Sequence, residues 1–140
     1  MTLLDSSVIS ALMLERPDRV VADWLDRQPY PSIWTSSIAA FEIRFGLHAM
    51  PAGKRQTDRI AAFERILTDV IEERIVPFDS AAAECAAYLM AERKRRGRPG
   101  ELRDTMIAGI VLASHATLAT RNVKHFEDIA SSVVNPWDKS

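Results

Sequence analysis

The sequence predicts an α/β domain in three layers, α/β/α, with a mainly parallel central sheet of four to five strands. Short apolar segments alternate with helical ones along the chain, the pattern of a parallel sheet covered on both faces. Its 140 residues show no internal repeat, low-complexity tract or composition shift, so one domain is expected over 1–140. Hydrophobic residues make up 47% and charged residues 26%, ordinary values for a chain that folds around a core.

The elements follow in order. "TLLD" reads as a first strand, and "SVISALM" and "PDRVVADWLDRQ" as helices, with Pro17 in a favoured first-turn position. "SIWTS" is a second strand, after which Ser36 or Ser37 caps the helix "IAAFEIRFGLHAM" and "PAGK" turns the chain. A long amphipathic helix is expected over Arg55–Glu73, with Ile60, Phe63, Ile66, Leu67 and Val70 on one stripe. "RIVPF" reads as a third strand, and Asp79 or Ser80 caps "AAAECAAYLMAERKRRG". "ELRDTMIAGIVLASHA" is a further helix, "TLAT" a fourth strand and "SVVNPW" a weak closing strand. Parallel sheets bind ligands beyond the carboxyl ends of their strands, which is where Asp5 falls.

Composition also excludes function classes. No apolar run reaches the ~18 residues of a membrane span, and no secretory signal is expected at the start. Cys85 is the single cysteine, so an internal disulfide is impossible and a reducing cytoplasm is the expected compartment. In its alanine-rich helix it reads as a small buried hydrophobe. Net charge is −1, from 18 basic and 19 acidic residues, which argues against a general grip on nucleic acid and leaves a local basic patch open. His48, His115 and His125 lack partners at zinc-ligand spacing, and no glycine-rich phosphate loop is present.

Three acids stand in awkward company. Asp5 ends a strand where a helix begins, and taken alone it reads as a cap as readily as a metal ligand. Glu42 shares a helical face with Ile38, Phe45, Gly46 and Ala49. A glutamate there is costly unless it pairs with Arg44 or a neighbouring backbone group, or binds a cation. Asp104 lies in the first turn of a helix whose buried face carries Ile107, Ala108 and Val111, and a dipole role explains it alone. Together the three change the reading. If their strands run parallel they converge at one sheet edge, and clustered carboxylates need a cation to stay ionised. Oxygen donors of this kind suit Mg²⁺ or Mn²⁺ and imply metal-assisted phosphodiester hydrolysis.

The segments "LLDSSVIS", "SSIAAFEIRFGLHAMPAGKR", "RDTMIAGIVLASHATLATRN" and "NPW" resemble PIN-domain ribonucleases, in particular the VapC and FitB-like toxins of type II toxin–antitoxin pairs. The likeness runs over almost the whole chain in order. It implies a PIN-like α/β/α fold, a Mg²⁺-dependent endoribonuclease acting as a growth-inhibiting toxin, and Asp5, Glu42 and Asp104 as the catalytic, metal-holding acids. It further implies a homodimer, a cognate antitoxin of VapB or FitA type that wraps an apolar groove, and operator DNA bound only through that antitoxin.

Two departures stand out. Ser6 and Ser7 replace the threonine and asparagine that often follow the family's first aspartate, and Ser6 is expected to support Asp5 or a metal-bound water. The family often has a fourth acid near "LATRNVKHFED"; here Asn122 and His125 occupy the two expected positions, with Glu127 and Asp128 the nearest acids. Asn122 is expected to orient Asp5 or a metal water, one ion is expected to be held well, and His125 and Arg121 are expected substrate contacts. The run Arg93, Lys94, Arg95, Arg96, Arg98 reads first as a solvated helix end that complements the dipole, with RNA phosphate contact as the sharper reading. Trp24, Trp34 and Trp137 are read as core or dimer-interface residues. The alternative to a nuclease is a catalytically weak PIN module that serves mainly as antitoxin partner in a DNA-binding regulatory complex, and the missing fourth acid supports it.

Overall fold

The computed structural model describes residues 1–138. β1 (Thr2–Leu4), β2 (Ile33–Ser36), β3 (Ile75–Val76), β4 (Thr117–Ala119) and β5 (Val133–Val134) form one parallel sheet in the order β3-β2-β1-β4-β5. Six α-helices flank it: α1 (Ser6–Leu12), α2 (Arg19–Asp26), α3 (Ser37–Ala49), α4 (Lys54–Arg65), α5 (Ser80–Arg95) and α6 (Leu102–Ser114). The predicted three-layer parallel architecture is therefore what forms.

Side chains on a strand alternate between faces, and β1 shows how this divides the core. Leu4 points into a cluster with Val8 and Ile9 of α1, Val21 of α2, Ile43 of α3 and Phe63 of α4. Leu3 points the other way, to Leu89 of α5 and Ile107 and Val111 of α6. On that second face α6 lies hard against α5. A Cβ on Gly109 would stand 2.5 Å from the carbonyl oxygen of Ala82 and 2.7 Å from Cβ of Ala86. The alanine-rich run of α5 is thus a surface that lets another backbone approach.

The chain builds β2 and β3 on one side of β1 and then crosses to β4 and β5 on the other. The order in which strands are added switches sides between β1 and β4, and in parallel sheets ligands bind beyond the carboxyl ends at such a switch. Caps fix where the flanking helices start: Ser36 Oγ accepts from the Ala39 N–H and Asp79 Oδ1 from the Ala82 N–H, both at 3.0 Å. Ser37, the other capping candidate, instead accepts from the Phe78 N–H at 3.0 Å.

The expected helix over Arg55–Glu73 is shorter than its stripe suggests. α4 ends at Arg65, and Ile66–Val70 widens into a π-type turn with the Ile71 N–H donating to the Ile66 carbonyl at 2.9 Å. Ile66, Leu67 and Ile71 are all buried, and the wide turn carries all three to the core before Glu72 and Glu73 turn the chain with φ of 52° and 60°.

Candidate active site at the carboxyl edge of the sheet

Asp5 follows the last residue of β1 and is 4% exposed. Its backbone opens α1, the carbonyl accepting from the Val8 and Ile9 N–H groups, yet its carboxylate makes no capping bond. Instead Oδ2 accepts from Thr120 Oγ1 at 2.7 Å and from Ser7 Oγ at 3.2 Å. Thr120 comes just after β4, so the two strands at the switch each supply one partner of this bond. Burial pushes the Asp5 carboxyl above its ordinary range; the Thr120 and Ser7 hydroxyls pull against this, and the charge of Asp104 adds to it.

Glu42 projects from α3. Its Oε1 accepts from Ser6 Oγ at 3.3 Å, and Arg103 Nε of α6 stands 3.8 Å from its Oε2. Arg44, the partner expected from sequence, pairs with Glu64 at 3.1 Å and lies over the Phe63 ring. The apolar stripe assigned to Glu42 also faces differently from expectation. The buried side of α3 carries Ala39, Ile43 and Leu47, while Phe45 is 61% exposed and stacks on exposed Phe41. Burial again raises the Glu42 carboxyl, followed by the charge of Asp5, with Arg103 and Ser6 opposing and Asp104 reinforcing.

Asp104 is the third residue of α6, where Glu101 caps its N–H at 2.9 Å. Its Oδ2 lies 2.7 Å from His125 Nδ1. The acids from β1, α3 and α6 are thus close enough for their charges to act on one another. They form an open set: among the described residues no three His, Cys, Asp or Glu side chains close into a ready metal cage. Hard oxygen donors that repel one another suit a divalent ion that keeps waters of its own, as Mg²⁺ and Mn²⁺ do.

The expected supporting residues take other places. Ser6 reaches Glu42, and it is Ser7 that bonds Asp5. Asn122 is exposed and acts through its backbone, its N–H donating to Thr120 Oγ1 at 3.1 Å. Arg121 donates its N–H to Ser7 Oγ, while its guanidinium lies 4.7 Å over the Trp137 ring. Trp137 in turn donates from Nε1 to Asp18 at 2.9 Å, and Trp24, Trp34 and Trp137 all border the two core clusters. Cys85 is only half-buried.

Two residues matter most whose roles the sequence does not reveal. Thr120 is fully buried and is the closest partner of Asp5, and a hydroxyl ending the strand beside β1 was the available signal. Arg93 leaves its solvated-run reading altogether, at 4% exposure. Its Nε and Nη2 donate to the two carboxylate oxygens of Asp128 at 2.9 and 2.7 Å. Nη1 reaches Thr105 Oγ1 at 3.1 Å, and Nη2 also reaches the His125 carbonyl at 2.9 Å. Asp128, one of the two acids nearest the expected fourth position, is thereby committed to Arg93.

Comparison with known proteins agrees with this architecture. A family model described as PIN domain matches residues 2–131. The chain is 38% identical over 138 residues to VapC ribonuclease Y4jK of Sinorhizobium fredii, covering 99% of each, and 30% identical over 137 residues to Toxin FitB of Neisseria gonorrhoeae, covering 98% of this chain and 99% of that one. A solved structure of FitAB bound to an IR36 DNA fragment superimposes with a TM-score of 0.89 at 29% identity, over 100% of this chain and 98% of the other. The family model over residues 2–131 and a 38% identical relative matched along nearly the whole sequence make this chain a member of the PIN-domain family, with the buried Asp5 at the carboxyl edge of its sheet.

Proposed function

We propose that this chain, as one PIN domain over 1–140, is a divalent-metal-dependent endoribonuclease and the growth-inhibiting toxin of a type II toxin–antitoxin pair. The observation that carries the reading is the Asp5 carboxylate, buried, aimed by Thr120 and faced by Glu42 and Asp104. Relatives named as a VapC ribonuclease and a FitB toxin support it.

Asp5, Glu42 and Asp104 would hold Mg²⁺, with Mn²⁺ as a substitute. When bound, the ion lowers the pKa of a water and neutralises charge on the phosphoryl oxygens. The chain's own residues do the positioning. Thr120 and Ser7 fix the rotamer of Asp5, Ser6 and Arg103 steady Glu42, and His125 holds Asp104. In-line attack of water at phosphorus, with the 3′ oxygen leaving and taking up a proton, would give 5′-phosphate and 3′-hydroxyl ends. Incubating antitoxin-free protein with cellular RNA and Mg²⁺, beside an Asp5→Asn variant, tests this. Cleavage by the first and none by the second is expected, and equal behaviour of the two rejects the reading.

The antitoxin, of VapB or FitA type, has a groove of about 660 Å³ available between the end of α1 and the start of α4, lined by Met13, Leu14 and Met50 together with Lys54, Arg55 and Arg59. Operator DNA is reached through that antitoxin in this reading; the FitAB neighbour is a complex bound to a DNA fragment. Exposed Phe41 and Phe45 offer a homodimer its apolar surface. No described helix is long and apolar enough to cross a membrane, and the cytoplasm is the proposed compartment. One observation favours a catalytically weak antitoxin partner instead: His125 stands where the family often has an acid, and Asp128 is tied to Arg93. The same cleavage assay separates the two readings.

A further inference from the structure

A cavity of about 580 Å³ opens beside Asp104, between the α5–α6 connection and the 3₁₀ turn Val123–Phe126. Its lining contains acids and bases, and most of them are already spent. Arg93 is used by Asp128, Glu101 by the Asp104 N–H and Arg103, and Arg96 leans on Glu92 at 3.6 Å. Asp104 faces the other two acids and His125. Arg98 and Lys124 remain as cations without an ion pair among the described residues, against Glu127 as the one acid in the same condition.

The backbone presents Arg98 deliberately. α5 ends in a Schellman motif: Gly97 has φ of 70°, its N–H donates to the Lys94 carbonyl, and the Arg98 N–H reaches back to the Arg93 carbonyl at 2.8 Å. Gly100, also at φ 70°, lies so close to Arg93 that a Cβ there would stand 3.2 Å from Nη1. The loop bearing Arg98 is therefore seated on a buried guanidinium, which also binds the His125 carbonyl at the turn bearing Lys124. One anchor sets both walls of the cavity.

We propose that this cavity seats a phosphate of single-stranded RNA next to the scissile one, with Arg98 and Lys124 as its cations, so that the strand runs from the acids over Asp104 and out between the two walls. This rests on the ribonuclease reading and adds to it a strand direction and two substrate-binding residues. It also separates the basic run into parts: Arg93 structural, Arg98 substrate-facing, and exposed Lys94 outside the cavity.

The test measures binding of a fluorescein-labelled, mixed-sequence single-stranded oligoribonucleotide across a salt series. It is run in the Asp5→Asn background, so that binding is read apart from cleavage. Arg98→Ala with Lys124→Ala is expected to weaken binding about tenfold near 0.1 M salt and to flatten the log–log salt slope by about 0.7, the share of the one phosphate the two cations hold. Lys94→Ala, with the same charge removed from the same run, is expected to leave the slope in place. Absent RNA affinity, or a loss per charge from Lys94→Ala matching that of the other two, overturns the proposal. If the subsite effect is present while wild-type protein with Mg²⁺ cuts nothing, the ribonuclease reading falls and the phosphate site stands.

Discussion

The molecule places charge in its interior twice, and the two places follow opposite rules. Around Arg93 a buried guanidinium meets a bidentate carboxylate, a threonine hydroxyl and a backbone carbonyl, so its donors are matched by acceptors. Around Asp5 three carboxylates face one another with hydroxyls and the outlying Arg103 as relief. The first arrangement satisfies itself and is a structural device. The second has hydrogen-bond partners for its acids but leaves their mutual repulsion in place, the expected condition of a site that trades stability for chemistry. They are joined through Thr105 and His125, each touching Arg93 and each beside or against Asp104.

The largest expected effect breaks the self-repelling side. Asp5→Asn keeps the shape and removes the central charge. RNA cleavage is expected to fall about a thousandfold or more, because the ion's stabilisation of the transition state is worth several kcal/mol. Thermal unfolding of the metal-free variant is expected at or above the wild-type temperature, since a buried charge raised by burial has been removed. A marked fall in melting temperature would show that Asp5 is a structural residue. Breaking the satisfied side should do the reverse. Arg93→Ala strands Asp128 and uncaps the His125 carbonyl, and a loss of about 3 kcal/mol is expected in urea unfolding. The side chain of Asp128 is 26% exposed, which keeps the cost towards the lower end.

A smaller effect tests the link between sheet and site. Thr120→Val preserves volume and removes the 2.7 Å bond to Asp5. Metal affinity, read by calorimetry with Mn²⁺, is expected to fall about tenfold, as for other residues that orient a ligand. In the Asp5→Asn background the same substitution should change RNA cleavage no further, because the hydroxyl acts through Asp5.

This contrast also marks what the sequence could reveal. Alternating strands and helices, the parallel sheet and the position of Asp5 at a strand end follow from local pattern and strand geometry, and each is visible in a short window. The partners are not. Thr120 lies 115 residues from Asp5, and only the pairing of β1 with β4 brings them together. In sequence Arg93 is one of five similar cations, and its burial comes from partners distant in the chain, Asp128 and the His125 carbonyl, with Thr105 beside them. The apolar stripe shared by Glu42 does not face the core, because α3 buries Ala39, Ile43 and Leu47 and leaves Phe45 outward. The π-type turn after Arg65 was hidden for a related reason, since its amphipathic stripe continues unbroken through the change of helix.

The smallest effect separates the two regions by sign. A carboxyl raised in the folded state binds its proton more tightly folded than unfolded, so folding stability falls as pH rises from the ordinary value through the raised one. Asp5 and Glu42, with ordinary values of 3.8 and 4.5, should act this way in metal-free protein. Asp128 is the opposite case. Its bond to Arg93 lowers its carboxyl, so its contribution is present above the ordinary value of 3.8 and is lost as pH falls through the lowered one. Urea unfolding in chelator between about pH 3 and pH 7 reads both. The wild-type stability minus that of Asp5→Asn should decline as pH rises, whereas the wild-type stability minus that of Asp128→Asn should grow. Saturating Mg²⁺ should reverse the first slope and leave the second alone, because the cation relieves the repulsion among the acids and does nothing for a pair already satisfied. Two slopes of the same sign would mean that both charges are merely structural, and the division of labour drawn between Arg93 and Asp5 would be lost.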